Sequence, residues 1–70
     1  MKIQRAKVID GQKGPWGPAL SAHESRGIIG ALLLRYLPET VEAVLLSADG
    51  MRYTVRDYNG THSQYYRYAR

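Results

Sequence analysis

The sequence predicts a small α+β domain in the order β-α-β-β-β, with one helix packed on an antiparallel sheet that ends in a C-terminal three-stranded meander. Three observations carry this. A serine-capped apolar stretch occupies the first half of the chain. Two turn dipeptides, Asp49-Gly50 and Asn59-Gly60, sit at hairpin spacing in the second half. Short runs of β-branched and aromatic residues lie on either side of those turns.

Residues 2–10 predict the first strand, supported by Ile3, Val8 and Ile9. Its alternation is imperfect, because Ile3 is odd-numbered while Ala6 and Val8 are even, and a bulge near Arg5 would reconcile them. Residues 11–20 hold three glycines and two prolines, which predicts a loop. Trp16 lies between two Gly-Pro dipeptides there. It is either a cap on the small core or an exposed aromatic anchor for a partner.

Ser21 and Glu24 have the spacing of a capping box. The helix is expected over 22–37, with Pro38 as its stop. Ile29, Leu32, Leu33 and Tyr36 recur at helical spacing and should face the sheet. Gly27 and Gly30 each weaken a helix by roughly 1 kcal/mol relative to alanine, which points to a close approach of helix to sheet. Ile28, Leu34 and Leu37 fall outside one narrow stripe, as an interface or a wider buried face.

Residues 41–48 read as a strand, and the two turns then give the meander. With two-residue turns, Val44, Leu46, Met51, Tyr53, Val55, Tyr66 and Tyr68 share the face that packs on the helix. The other face shows Leu45, Arg52, Thr54, Arg56, Tyr58, Thr61, Ser63, Tyr65 and Arg67, which is basic, hydroxylic and aromatic. A bulged turn would exchange some of these, notably Tyr65 for Tyr66.

Seventy residues make a single domain, 1–70, with a modest core. There is no cysteine, which removes disulfides and zinc–thiolate sites and fits a reducing cytoplasm. His23 and His62 fall in different elements, so neither a metal nor any other cofactor is expected. Support for so small a core then comes from oligomerisation, from a tight partner or from unusually good packing. The start of the chain shows no apolar signal core, and the longest apolar stretch, 28–34, is too short to span a bilayer. A complete cytoplasmic protein of a bacterial host cell, without membrane contact, is the expectation.

Net charge is +4, and it is unevenly spread. Lys2, Arg5, Lys7 and Lys13 against Asp10 make the first thirteen residues basic. Arg52, Arg56, Arg67 and Arg70 against Asp57 do the same for the last twenty-one. Between them Glu24, Glu39, Glu42 and Asp49 outnumber Arg26 and Arg35. Five of the six tyrosines also lie after residue 50, and this Arg/Tyr mixture suits phosphate, acidic protein or nucleobases.

No catalytic constellation emerges. The stretch 11–17 lacks the Gly-Lys-Ser/Thr ending of a phosphate-binding loop. Ser21 reads as a helix cap, and His62 as a surface neighbour of Asp57 across the hairpin. The carboxylates are scattered. A protein without enzymatic activity is expected.

The capped helix at 21–37 and the hairpins at Asp49-Gly50 and Asn59-Gly60 give a plan that resembles small phage and mobile-element inhibitors of bacterial defence, anti-CRISPR proteins among them. The resemblance covers most of the chain and rests on architecture, with no motif through which residue roles could be carried over. Many such inhibitors are acidic mimics of nucleic acid, whereas this chain is basic. The resemblance implies docking on a larger host protein or ribonucleoprotein, such as a CRISPR effector complex, in competition with nucleic acid. Arg52, Arg56, Tyr58, Tyr65 and Arg67 are the expected contact face, with Lys13 and Trp16 as a second patch. A small DNA- or RNA-binding regulator is the alternative, and a homodimer or larger homo-oligomer a third reading.

Overall fold

In a computed structural model that describes residues 1–70, the chain folds in the order β-β-α-α-β-β: β1 (Ile3–Ile9), β2 (Gln12–Ala19), α1 (Ala22–Leu33), α2 (Pro38–Leu46), β3 (Met51–Asp57) and β4 (Gly60–Tyr68). The α+β class holds, with helices packed on one face of a four-stranded antiparallel sheet. The sheet runs β2-β1-β4-β3, so pairing of the first and last strands joins two hairpins. This replaces the order β-α-β-β-β and its meander: one expected loop is a strand, and one expected strand is a helix.

The new strand is β2. Asp10 (φ 53) and Gly11 (φ 78) form a two-residue turn with both φ values positive, the geometry that matches the twist of a hairpin. Pro15 and Pro18 are tolerated because β2 is an edge strand. The register passes from Gln4↔Ala19 to Ala6↔Trp16 to Val8↔Lys13, so each step takes two residues of β1 and three of β2. A Gly-Pro dipeptide lies at each step, and the extra residue is a bulge on β2. The bulge expected near Arg5 therefore belongs to the partner strand, while β1 pairs with β4 without a break from Ile3↔Tyr68 to Lys7↔Gln64. The mixed alternation of β1 has a different cause. Ile3 is buried on the helix side and Ala6 on the other side.

α1 begins as expected, with Ser21 Oγ accepting from the Glu24 N–H at 3.1 Å; the Glu24 carboxylate takes the Ser21 hydroxyl hydrogen rather than its amide. It ends at Leu33, four residues before the expected limit. Pro38 does not merely stop a helix. It stands at the first position of α2, where its fixed φ and missing N–H suit a helix start. Val41 and Leu45, one turn apart, are the buried side chains of α2. A short apolar run such as 41–48 carries no periodicity that separates strand from helix, and tertiary packing decided it.

The core comprises Ile3, Leu32, Val41, Leu45, Met51 and Tyr66. Leu45, expected on the outer face, is thus buried. Ser25 is also fully buried, and its Oγ accepts the Ile3 N–H at 3.0 Å, which ties α1 to β1. Leu33 and Tyr36 are exposed and stand outside the core rather than packed on the sheet. Gly27 and Gly30 face open space, so no close approach explains them.

The C-terminal hairpin turns at Tyr58 and Asn59, one residue before the Asn59-Gly60 dipeptide, and Gly60 (φ 117) opens β4. Pairing begins at Asp57↔Gly60. Register moves by two residues relative to the expectation, so every strand side chain keeps its expected face. Met51, Tyr53, Tyr66 and Tyr68 lie with the helices. No helix is long and apolar enough to cross a membrane.

A candidate binding face on the open side of the sheet

The helices leave the other sheet face uncovered. Cross-strand partners share a face, so the registers place Trp16, Ala6, Tyr65 and Arg52 in one row across β2, β1, β4 and β3. Gln4 and Arg67 flank this row on one side, and Val8, Lys13, Ser63 and Thr54 on the other. Ala6 lies between the two aromatic partners and is only 1% exposed. A larger residue there would hold the two rings off the sheet.

Cations and rings alternate along the row. The Arg67 guanidinium carbon lies 4.4 Å from the Trp16 ring centroid. The Lys13 ammonium lies 5.1 Å from Trp16 and 6.0 Å from Tyr65, so one cation serves both rings. Arg52 lies 5.9 Å from Tyr65. The sequence Arg67–Trp16–Lys13–Tyr65–Arg52 thus draws on β4, β2 and β3. Each contact is within cation–π range, where partial exposure limits the gain to roughly 0.5–1 kcal/mol.

Two small features hold the arrangement. Gln4 donates from Nε2 to the Gly17 carbonyl at 3.0 Å, and its Oε1 accepts from Arg67 Nε at 3.0 Å. The first bond clamps the bulged edge strand, and the second aims Arg67 across β1. Gly50 (φ 74) provides the space. A Cβ there would meet Tyr66 O at 2.6 Å and Trp16 Cη2 at 2.7 Å. The dipeptide expected to turn a hairpin instead links α2 to β3, with Gly50 N–H donating to Ser47 Oγ, and it leaves room for the indole.

Of the expected contact residues, five converge: Lys13, Trp16, Arg52, Tyr65 and Arg67. The two patches read separately from the sequence are one. Arg56 lies on the same face beyond Thr54, near the hairpin end. Tyr58 is apart from the row, at the hairpin tip and 97% exposed. Trp16 fits neither sequence reading alone. It is half-buried over Ala6, away from the helix-side core. Gln4, Ala6 and Gly50 carry no sequence signal of their roles, because each acts through a contact distant along the chain.

The electrostatics are one-sided. Not one of the ten Lys and Arg side chains forms an ion pair; the sole close pair is His62 with Asp57, at 3.6 Å and exposed on the helix side. Thr54 and Ser63 share a hydroxyl hydrogen bond at 2.9 Å within the open face. Tyr68, on the helix side, donates to a Glu42 carboxylate oxygen of α2. That hydrogen bond, with burial and the negative charge of Glu42, pushes the phenol up to about 12.

No protein-family model, curated protein or solved structure matches the chain.

Proposed function

We propose that this is a non-enzymatic binding protein whose open sheet face docks on an anionic macromolecular surface. A ribonucleoprotein, which presents exposed nucleic acid beside protein, is the partner class that fits. Docking there in place of nucleic acid would give the inhibitor role expected from the resemblance. The open face carries this reading, since the meander that formed part of the resemblance is replaced by two hairpins.

The single observation behind the proposal is the uncompensated row of cations. Lys13, Arg52 and Arg67 are gathered around two rings without a carboxylate partner, and Arg56 stands on the same face. Like charges held this close repel one another, and an external anion relieves that repulsion. Arg and aromatic side chains also dominate binding hot spots.

The test is a double charge reversal, Arg52→Glu with Arg56→Glu. Both residues are exposed and only Arg52 has a ring contact to lose, so stability should change by no more than about 1 kcal/mol. Capture of a specific partner from bacterial lysate, repeated after nuclease treatment, should be lost in the variant. Undiminished capture by a correctly folded variant would place the interface elsewhere.

A further inference from the structure

We infer that the anion this face accepts is single-stranded nucleic acid, with unpaired bases stacking at Trp16 and Tyr65 and phosphates held by Arg67, Lys13 and Arg52. The inference rests on the open-face reading above and names its ligand.

Three properties of the row point to a strand with free bases. First, rings and cations alternate. A single strand repeats a π-surface and a negative charge in every unit, whereas an acidic protein supplies carboxylates without a regular partner for the rings. Second, the backbone positions of Trp16 and Tyr65 are two strand spacings apart, roughly 10 Å, so the two rings start from separate strands of one face. Third, the shape excludes the obvious duplex mode. Four strands span roughly 15 Å, too broad for a major groove about 12 Å wide. A duplex also keeps the faces of its bases stacked and out of reach of the rings. The rings sit on strands rather than loops, over a buried alanine, so their spacing is set before binding.

Position along the chain adds a further point. The Lys13 ammonium is within 6.0 Å of both ring centroids. A phosphate drawn to Lys13 would place the flanking nucleotides beside Trp16 on one side and Tyr65 on the other. Arg67 is held through Nε by Gln4 with its guanidinium beside the Trp16 ring, which leaves its terminal nitrogens available to a phosphate.

Trp16 is the only tryptophan, so the site reports on itself. The probes are a short oligothymidine, a duplex of the same length and polyglutamate. Oligothymidine should quench Trp16 emission and bind at least roughly tenfold more tightly than the duplex. Its affinity should fall with salt at a log–log slope of about −2, as three phosphate contacts on a single strand require. Tyr65→Leu should weaken binding roughly tenfold, the loss of one stacked base, with an unchanged circular dichroism spectrum. Trp16→Leu, read by anisotropy of a labelled oligonucleotide, should do the same. Oligonucleotide binding without quenching and indifferent to Tyr65→Leu overturns the stacking. Binding of polyglutamate but not oligothymidine overturns the inference and leaves the open face as an acidic-protein site. Failure of every polyanion at low salt removes both this inference and the proposed function.

Discussion

On the helix side of the sheet, Ile3, Met51 and Tyr66 are buried by Leu32, Val41 and Leu45; on the open side, Ala6 is buried between one indole and one phenol set among cations. The first cover is apolar and comes from two whole helices. The second is thin and comes from two rings that the charged side chains flank. The helix side therefore holds most of the hydrophobic stabilisation, and the open side is free to be chemically specialised. Stability and binding should respond to different residues.

Leu32→Ala is the strongest way to break the helix side. The side chain is fully buried, so its loss should cost about 2–5 kcal/mol. A domain this small has little more in reserve, and urea unfolding should show a largely unfolded variant. A loss below about 1 kcal/mol would mean that the main core lies elsewhere.

Gly50→Ala attacks the open side from beneath. The left-handed backbone alone costs a non-glycine residue roughly 1–2 kcal/mol. The added methyl also clashes with both the Trp16 ring and the Tyr66 carbonyl. A total of about 2 kcal/mol or more is expected, with a shift in Trp16 emission. Unchanged emission would show that the indole does not rest against Gly50.

Ser25→Ala should cost about 1–2 kcal/mol, because the buried Ile3 N–H would lose its acceptor. Emission of Trp16 should stay the same, which separates it from Gly50→Ala.

The smallest effect is a pH dependence at Tyr68. The fold raises this phenol from the ordinary value near 10 to about 12, so the folded state holds its proton more tightly than the unfolded chain. Its contribution is complete below pH 10 and fades as pH rises from 10 to 12. Other tyrosines and the lysines titrate in the same range, so the comparison must be with Tyr68→Phe. The wild type should lose slightly more stability over that window than the variant, and equal slopes would remove Tyr68–Glu42 as a tether.

The two Asp-Gly dipeptides show where local reading reached its limit. Asp49-Gly50 lies between apolar runs and predicts a hairpin, yet it joins a helix to a strand. Asp10-Gly11 makes a true hairpin, but the prolines after it read as loop. Both errors have one origin. A turn dipeptide needs strands on both sides, and whether 12–19 and 41–48 are strands depends on what lies beside them. Pro15 and Pro18 fit a strand only at a sheet edge, and Val41 and Leu45 form a helical stripe only when a sheet lies beneath.

Much of the open face was nevertheless readable. A strand alternates with period two, so Arg52, Thr54 and Arg56 had to share a side, as did Thr61, Ser63, Tyr65 and Arg67. Even the two-residue error in hairpin register left those faces intact, because an even shift preserves them. The Ser21 cap is a contact over three residues and was equally legible.

The α+β class, the α1 start and the basic, aromatic side of β3 and β4 follow from local sequence, because each depends on neighbours a few residues apart. That Trp16 and Lys13 join that side follows from long-range strand pairing alone. Their place beside Tyr65, Arg67 and Arg52 depends on the pairing of β1 with β4, strands from opposite ends of the chain. Such a pairing gains its free energy from the assembled sheet and its covering helices, and no local run of residues records it.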